Sequence, residues 1–178
     1  MLVLTDLGFC GVSQKIETDF SLHVDDNQQP NMTTMTTKIT NSTKLALDKF
    51  YTKPHVVDAC VNDLIEHVSV LNDIVIEPSA GNGAWLPYFD NILAYDLAPE
   101  ADNIVQQDFL KLDLDQFNKS IHFVGNPPFG TNSCLAKQFI KKMAACANTQ
   151  TIALILPSSF SKLRNQRAFP LCVPDLGT

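Results

Sequence analysis

The sequence has no CxxC pair, no apolar run long enough to span a membrane, and few positive charges in its first two thirds. Its cysteines (Cys10, Cys60, Cys134, Cys146 and Cys172) are odd in number and scattered, which argues against a disulfide framework or a zinc site. The start, Met1-Leu2-Val3-Leu4-Thr5-Asp6, lacks a basic region and carries an early acid, so no signal peptide is expected. With short apolar runs, the expectation is an intracellular protein, cytoplasmic or nuclear, with no membrane partner. Glycine is scarce too. After the first strand of the main domain only Gly81 and Gly83 are present, two of the three glycines of a dinucleotide fingerprint, which disfavours a pyrophosphate site.

Positive charge is unevenly spread. Up to Asp115 there are 6 basic and 18 acidic residues, whereas from Gln116 onward 7 basic residues face Asp175 alone. A solvated charge gradient is the plain reading. The functional one is a locally positive face on the substrate side, suited to a phosphate-bearing partner.

The 178 residues, 45% apolar and 18% charged, suffice for one domain plus some excess. Residues 1–24 read as a strand pair or an unstructured leader, and Asp25 to Thr43 as a Thr/Asn-rich disordered linker. The leader and linker thus occupy 1–43, and the domain occupies 44–178. Lys44 to Phe50 suggests a helical turn or two, and Pro54 then opens a helix running to Leu71, with Thr52 placed to cap it. Val57, Cys60, Val61, Leu64, Ile65 and Val68 fall on one helical face.

Strands are expected at Asp73–Glu77, Asn91–Asp96, within Asn103–Asp108, at Ile121–Val124 and at Thr151–Leu156. Helices are expected from Ala84 to Phe89 and from Asn132 to Ala147, the latter burying Leu135, Phe139, Ile140, Met143 and Cys146. Alternating strands and helices specify an α/β fold with a doubly wound, mostly parallel sheet.

Three acids end successive strands: Glu77, Asp96 and Asp108, the last followed by Phe109. Ligands in this architecture bind at strand carboxyl ends. Asp96 stands where a carboxylate can accept ribose hydroxyls, and Asp108 with Phe109 offers an acceptor and a flat ring to an adenine. The fourth strand runs into Asn126-Pro127-Pro128-Phe129-Gly130. Its prolines fix φ and have no N–H, so the turn offers the Asn126 side-chain oxygen and the Pro127 carbonyl as acceptors, with Phe129 as a ring face. A stiff corner is the plain reading; an amine receptor is the functional one.

Taken in order, Tyr51-Thr52-Lys53-Pro54, Glu77-Pro78-Ser79-Ala80-Gly81-Asn82-Gly83, Asp96-Leu97-Ala98-Pro99, Asp108-Phe109 and Asn126-Pro127-Pro128-Phe129 resemble the S-adenosylmethionine-dependent amino-methyltransferases. The closest type is the N6-adenine group, including versions found in large DNA viruses and their hosts. The resemblance covers Lys44 to about Phe169. It implies a Rossmann-like methyltransferase domain that takes S-adenosyl-L-methionine and methylates an exocyclic amine, adenine N6 in DNA or RNA. It implies cofactor contacts from Tyr51, Thr52, Pro54, Glu77, Pro78, Ala80, Gly81, Gly83, Asp96, Leu97, Asp108 and Phe109. Asn126, Pro127, Pro128 and Phe129 are the implied catalytic turn, with Asn126 also bordering the cofactor. No metal is implied. Lys137, Lys141, Lys142, Lys162, Arg164 and Arg167 are candidates for phosphate contact.

The sequence also departs from that family. The family fold continues for two more strands, one antiparallel, whereas about twenty residues follow Pro157. A sheet lacking its last two strands would leave the fifth strand with an open apolar edge, inviting self-association or a protein partner. Two other functions stay open: methylation of a protein glutamine amide, whose family shares the Asn-Pro-Pro-aromatic turn, and an inactive, truncated module that binds cofactor or a partner chain.

Overall fold

The computed structural model describes residues 2–5, 15–17 and 50–161. The strands are β1 (Leu2–Thr5), β2 (Lys15–Glu17), β3 (Ile74–Glu77), β4 (Ile92–Asp96), β5 (Val105–Gln106), β6 (Ile121–Gly125) and β7 (Thr149–Leu154); the helices are α1 (Pro54–His67) and α2 (Cys134–Ala145). They form one sheet in the order β2-β1-β7-β6-β3-β4-β5. Pairings among β3 to β7 are all parallel, whereas β1 is antiparallel to both β7 and β2. The expected doubly wound α/β sheet is therefore present.

Alternation along the strands explains its two covered faces, since successive side chains point to opposite sides. Val75, Val124 and Ala153 pack with Val57, Cys60, Val61 and Leu64 of α1, together with Trp85 and Phe89. Their neighbours Ile76, Phe123, Ile152 and Leu154 pack against Ala136, Phe139, Ile140 and Met143 of α2. Ile65, expected on the buried face of α1, is 54% exposed, because it lies on the outer edge of that stripe.

Several local expectations need correction. Ala84 to Phe89 forms no α-helix; only a 3₁₀ turn, Leu86–Tyr88, is present, because Pro87 has no N–H for a continued i→i−4 ladder. Thr52 does not cap α1, whose N-cap is Lys53 without a side-chain hydrogen bond. The edge of β7, expected to be open, is paired: Leu2 to Thr5 lie opposite Leu154 to Thr151. No strand follows β7 among the described residues. A pair with the expected sense, one strand antiparallel to β7, is instead supplied by residues that precede the domain in sequence. For residues 1–24, the strand-pair alternative holds at Leu2–Thr5 and Lys15–Glu17. The linker at 25–43, the turns at 44–49 and the basic residues Lys162, Arg164 and Arg167 lie outside the described residues.

The site is positioned by the point where strand order reverses. From β3 the chain winds outward through β4 and β5, then returns to β3's other side with β6 and winds through β7. The carboxyl ends of β3 and β6 thus diverge into a crevice, the usual ligand position in open α/β sheets.

Because β1 is bonded on both edges, Val3→Pro should remove a ladder donor and free β7. A lower thermal midpoint together with increased light scattering at micromolar concentration is the expected result; unchanged melting would mean that β1 is dispensable.

Candidate functional site

A cleft of about 290 Å³ opens at this crevice. It is lined by Tyr51, Thr52, Glu77, Pro78, Ala80, Gly81, Asp96, Leu97, Asp108, Phe109, Asn126 and Pro128 among the residues singled out from sequence. Pro54, Gly83, Pro127 and Phe129 do not line it. Pro54 is the first residue of α1, and the Gly83 N–H is turned into its own loop, donating to the Ala80 carbonyl at 2.7 Å. Phe50, Ser79, Asn82, Ala84, Trp85, Gln107, Leu110, Leu135 and Phe139 complete the lining.

Asp96 holds the glycine loop. Its Oδ2 accepts the Gly81 N–H at 2.7 Å and its Oδ1 accepts the Ala98 N–H at 2.8 Å. The Ala80 N–H donates to the Tyr95 carbonyl and the Glu100 N–H to the Gly81 carbonyl, both at 2.9 Å. A carboxylate expected to receive ribose hydroxyls is therefore first an anchor of the loop. Asp108 Oδ1 similarly accepts the Leu110 N–H at 3.0 Å, and its Oδ2 lies 3.5 Å from Lys111 Nζ. Lys142, considered for phosphate contact, instead donates to the carbonyls of Leu110 and Leu112, at 3.0 and 2.5 Å, with Nζ 5.7 Å from the centre of the Phe109 ring. It fixes the wall that carries Phe109.

Glu77 differs from the other two acids. It is 2% exposed, and its Oε2 is buried without a hydrogen-bond partner. Burial, then repulsion from Asp96, pushes its pKa from 4.5 up to about 9, so the carboxyl is neutral at pH 7. Sequence identifies the acid but not its charge state, which is set by packing. Its neighbour Gly125 has φ +136°, and a Cβ there would come 3.3 Å from Glu77 Cγ. Glycine at the end of β6 leaves room for this side chain.

The Asn-Pro-Pro-Phe turn is held on three sides. Asn126 Nδ2 donates to the Phe50 carbonyl at 3.3 Å and lies 3.5 Å from Thr52 Oγ1. Because that carbonyl can only accept, the amide orientation is fixed and Oδ1 faces the other way, where it is buried and unpartnered. Ser79 Oγ donates to the Asn126 carbonyl at 3.2 Å, tying the turn to the glycine loop. Beyond it, the N–H groups of Leu135 and Ala136 in α2 donate to the Phe129 carbonyl at 3.2 and 3.4 Å. Gly130 makes this approach possible: φ is +65°, and a Cβ would come 2.9 Å from Leu135 Cβ.

The Phe129 ring, expected to be a free stacking surface, instead stacks on Phe50, with centroids 6.2 Å apart and planes 18° from parallel. Phe50, 61% exposed, was not singled out from sequence. No motif marks it, and only the folded path of the segment before α1 brings it to the turn. The next residue, Tyr51, donates from its hydroxyl to Glu100 Oε1 at 2.5 Å, linking that segment to the loop after β4.

The cleft's charge is one-sided. Among the described residues lining it are three carboxyls and no Lys, Arg or His. Nor does any group of three or more His, Cys, Asp or Glu among the described residues form an arrangement able to hold a metal ion. A cleft of this kind suits an organic cation or a neutral hydrogen-bond donor better than a phosphate. No helix among the described residues is long and apolar enough to cross a membrane.

Comparison with protein-family models, with curated proteins and with solved structures finds no match for the chain.

The state of Glu77 has a measurable consequence. Between pH 4.5 and about 9 the unfolded chain has lost this proton and the folded chain keeps it. Stability from this group is therefore full below 4.5 and falls as pH rises, by up to about 1.4 kcal/mol per unit. Denaturant titrations of wild type and Glu77→Gln across this range should differ in slope, the variant lacking this decline; parallel slopes would contradict a buried neutral acid.

Proposed function

We propose that this chain is an S-adenosyl-L-methionine-dependent N-methyltransferase acting on an exocyclic amine, adenine N6 in DNA or RNA. The observation that carries this reading is the Asn126 carboxamide. It is oriented by the Phe50 carbonyl, so that a buried, unpartnered Oδ1 stands at the edge of a cleft with three carboxyls and no basic side chain.

The residues fit the methyl donor. Its sulfonium and ammonium are cations, and Glu77 offers a buried oxygen without a partner. Glu77, Pro78, Ala80 and Gly81 would hold its amino-acid portion together with Tyr51 and Thr52. Asp96 would take the ribose, and Asp108, Phe109 and Leu97 the adenine. When bound, the group supplies an electrophilic methyl.

The chain's own contribution is to position the acceptor. The lone pair of an aryl amine is delocalised into the ring and attacks poorly. Asn126 Oδ1 would accept one amine hydrogen and the Pro127 carbonyl, just outside the cleft lining, the other, which favours a pyramidal nitrogen with its lone pair aimed into the cleft. Holding the amine this way can supply roughly 7–11 kcal/mol of the barrier. The Phe50–Phe129 pair supplies the aromatic surface for a flat substrate, and a base drawn from a duplex costs on the order of a few kcal/mol to unstack, which such a surface partly offsets. With Lys142 committed to the Phe109 wall, Lys137 and Lys141 on α2 are the other candidates for phosphate contact among the described residues.

Labelled methyl transfer to DNA, RNA and a glutamine-containing peptide, assayed side by side, tests the proposal. Transfer to adenine N6 is expected, with Asn126→Ala lowering the rate by about 10²–10³-fold, the scale of losing one positioned hydrogen-bonding group at a reacting centre. Transfer to the peptide alone would move the substrate to protein, and no transfer to any of the three would overturn the proposal.

A further inference from the structure

We propose that Glu77 is a proton-exchanging receptor for the ligand's positive charge: the empty cleft holds it as the neutral acid, and a cationic ligand displaces its proton to solvent. This rests on the methyl-donor reading and goes beyond it, because it gives one cleft residue a role in selecting the ligand by charge.

Geometry carries the argument. Glu77 ends β3 and Asp96 ends β4, adjacent parallel strands paired through Glu77 and Ala94. Asp96 accepts two backbone N–H groups, whereas Glu77 Oε2 has no partner and the residue is 2% exposed. Of these two carboxyls on neighbouring strands, Asp96 is supplied with donors, whereas the buried Glu77 oxygen is not, and burial without a donor favours the neutral acid. No described basic side chain lines the cleft; Lys111 lies 3.5 Å from Asp108 Oδ2, and Lys142 is bonded to the Leu110 and Leu112 carbonyls behind the Phe109 ring. Asp96 belongs to β4, Asp108 lies beyond β5, and Tyr51 comes from the segment before α1, while β6 contributes the Gly125 backbone and the turn after it the Asn126 amide. The His122 imidazole on β6 is bonded to Asp73, just before β3, at 3.0 Å.

An ammonium or sulfonium entering such a cleft provides the missing counter-charge. The exchange balances: the neutral carboxyl and the cation give a carboxylate–cation pair and one proton released to water. A neutral ligand of the same shape gains nothing from Glu77, so the residue discriminates by charge rather than by size. The raised pKa of Glu77 agrees with this direction.

Isothermal titration of S-adenosyl-L-methionine into the full chain, in buffers of different ionisation enthalpy between pH 6 and 7, tests the exchange. Close to one proton released per ligand is expected, with Kd falling about tenfold per pH unit. Glu77→Gln, checked for folding by thermal melting, should bind with flat pH dependence and no release beyond the ligand's own ionisation. Wild-type binding without proton release would overturn this inference and leave the methyltransferase reading standing. No binding to wild type at all would overturn both. The buffer series needs no variant, so a misfolded Glu77→Gln would not obscure the answer.

Discussion

One carboxylate organises the cleft. Asp96 accepts the N–H of Gly81 on one oxygen and that of Ala98 on the other, so the loops after β3 and β4 are fixed to each other beside the crevice between β3 and β6. Hydrogen bonds to a charged group contribute about 1.5–3 kcal/mol each, which adds to the burial of Ala80 against Ala94 and Ile104 in holding the glycine loop. The surrounding features follow from that fixation. The glycine loop reaches the Asn126 carbonyl through Ser79, and the Asn126 amide is in turn oriented by the Phe50 carbonyl.

The same arrangement makes Glu77 unusual. A cleft that gives Asp96 its donors leaves none for Glu77 Oε2, and Gly125 opens the space into which the side chain packs. Two acids of similar sequence context thus acquire different chemistry from their surroundings. Their joint effect, with Asp108, is a cleft lined by three carboxyls and by no described basic side chain, a setting better suited to an organic cation than to a pyrophosphate.

Much of this was legible in the sequence. The five parallel strands follow from short apolar segments bounded by turn residues, and the three acids after them and the Asn-Pro-Pro-Phe turn do line or border one cleft. What escaped was non-local. Leu2–Thr5 has the composition of a strand, yet nothing local says that it pairs with β7, some 150 residues away. The charge state of Glu77 depends on burial, and the commitment of Lys142 to two carbonyls depends on how α2 lies against the Phe109 turn. Phe50 reaches Phe129 only through the path of the chain before α1. Pro87, by contrast, was a visible signal against the helix expected at Ala84–Phe89.

The central claim is that the cleft is built for a cationic nucleoside rather than a dinucleotide. Calorimetric titration of the full chain with S-adenosyl-L-methionine and, separately, with NAD, at one pH and ionic strength, tests it most directly. The account predicts a saturable isotherm for the sulfonium, lost or strongly weakened in Asp96→Ala, and none for the pyrophosphate. Binding of NAD without binding of S-adenosyl-L-methionine would contradict it.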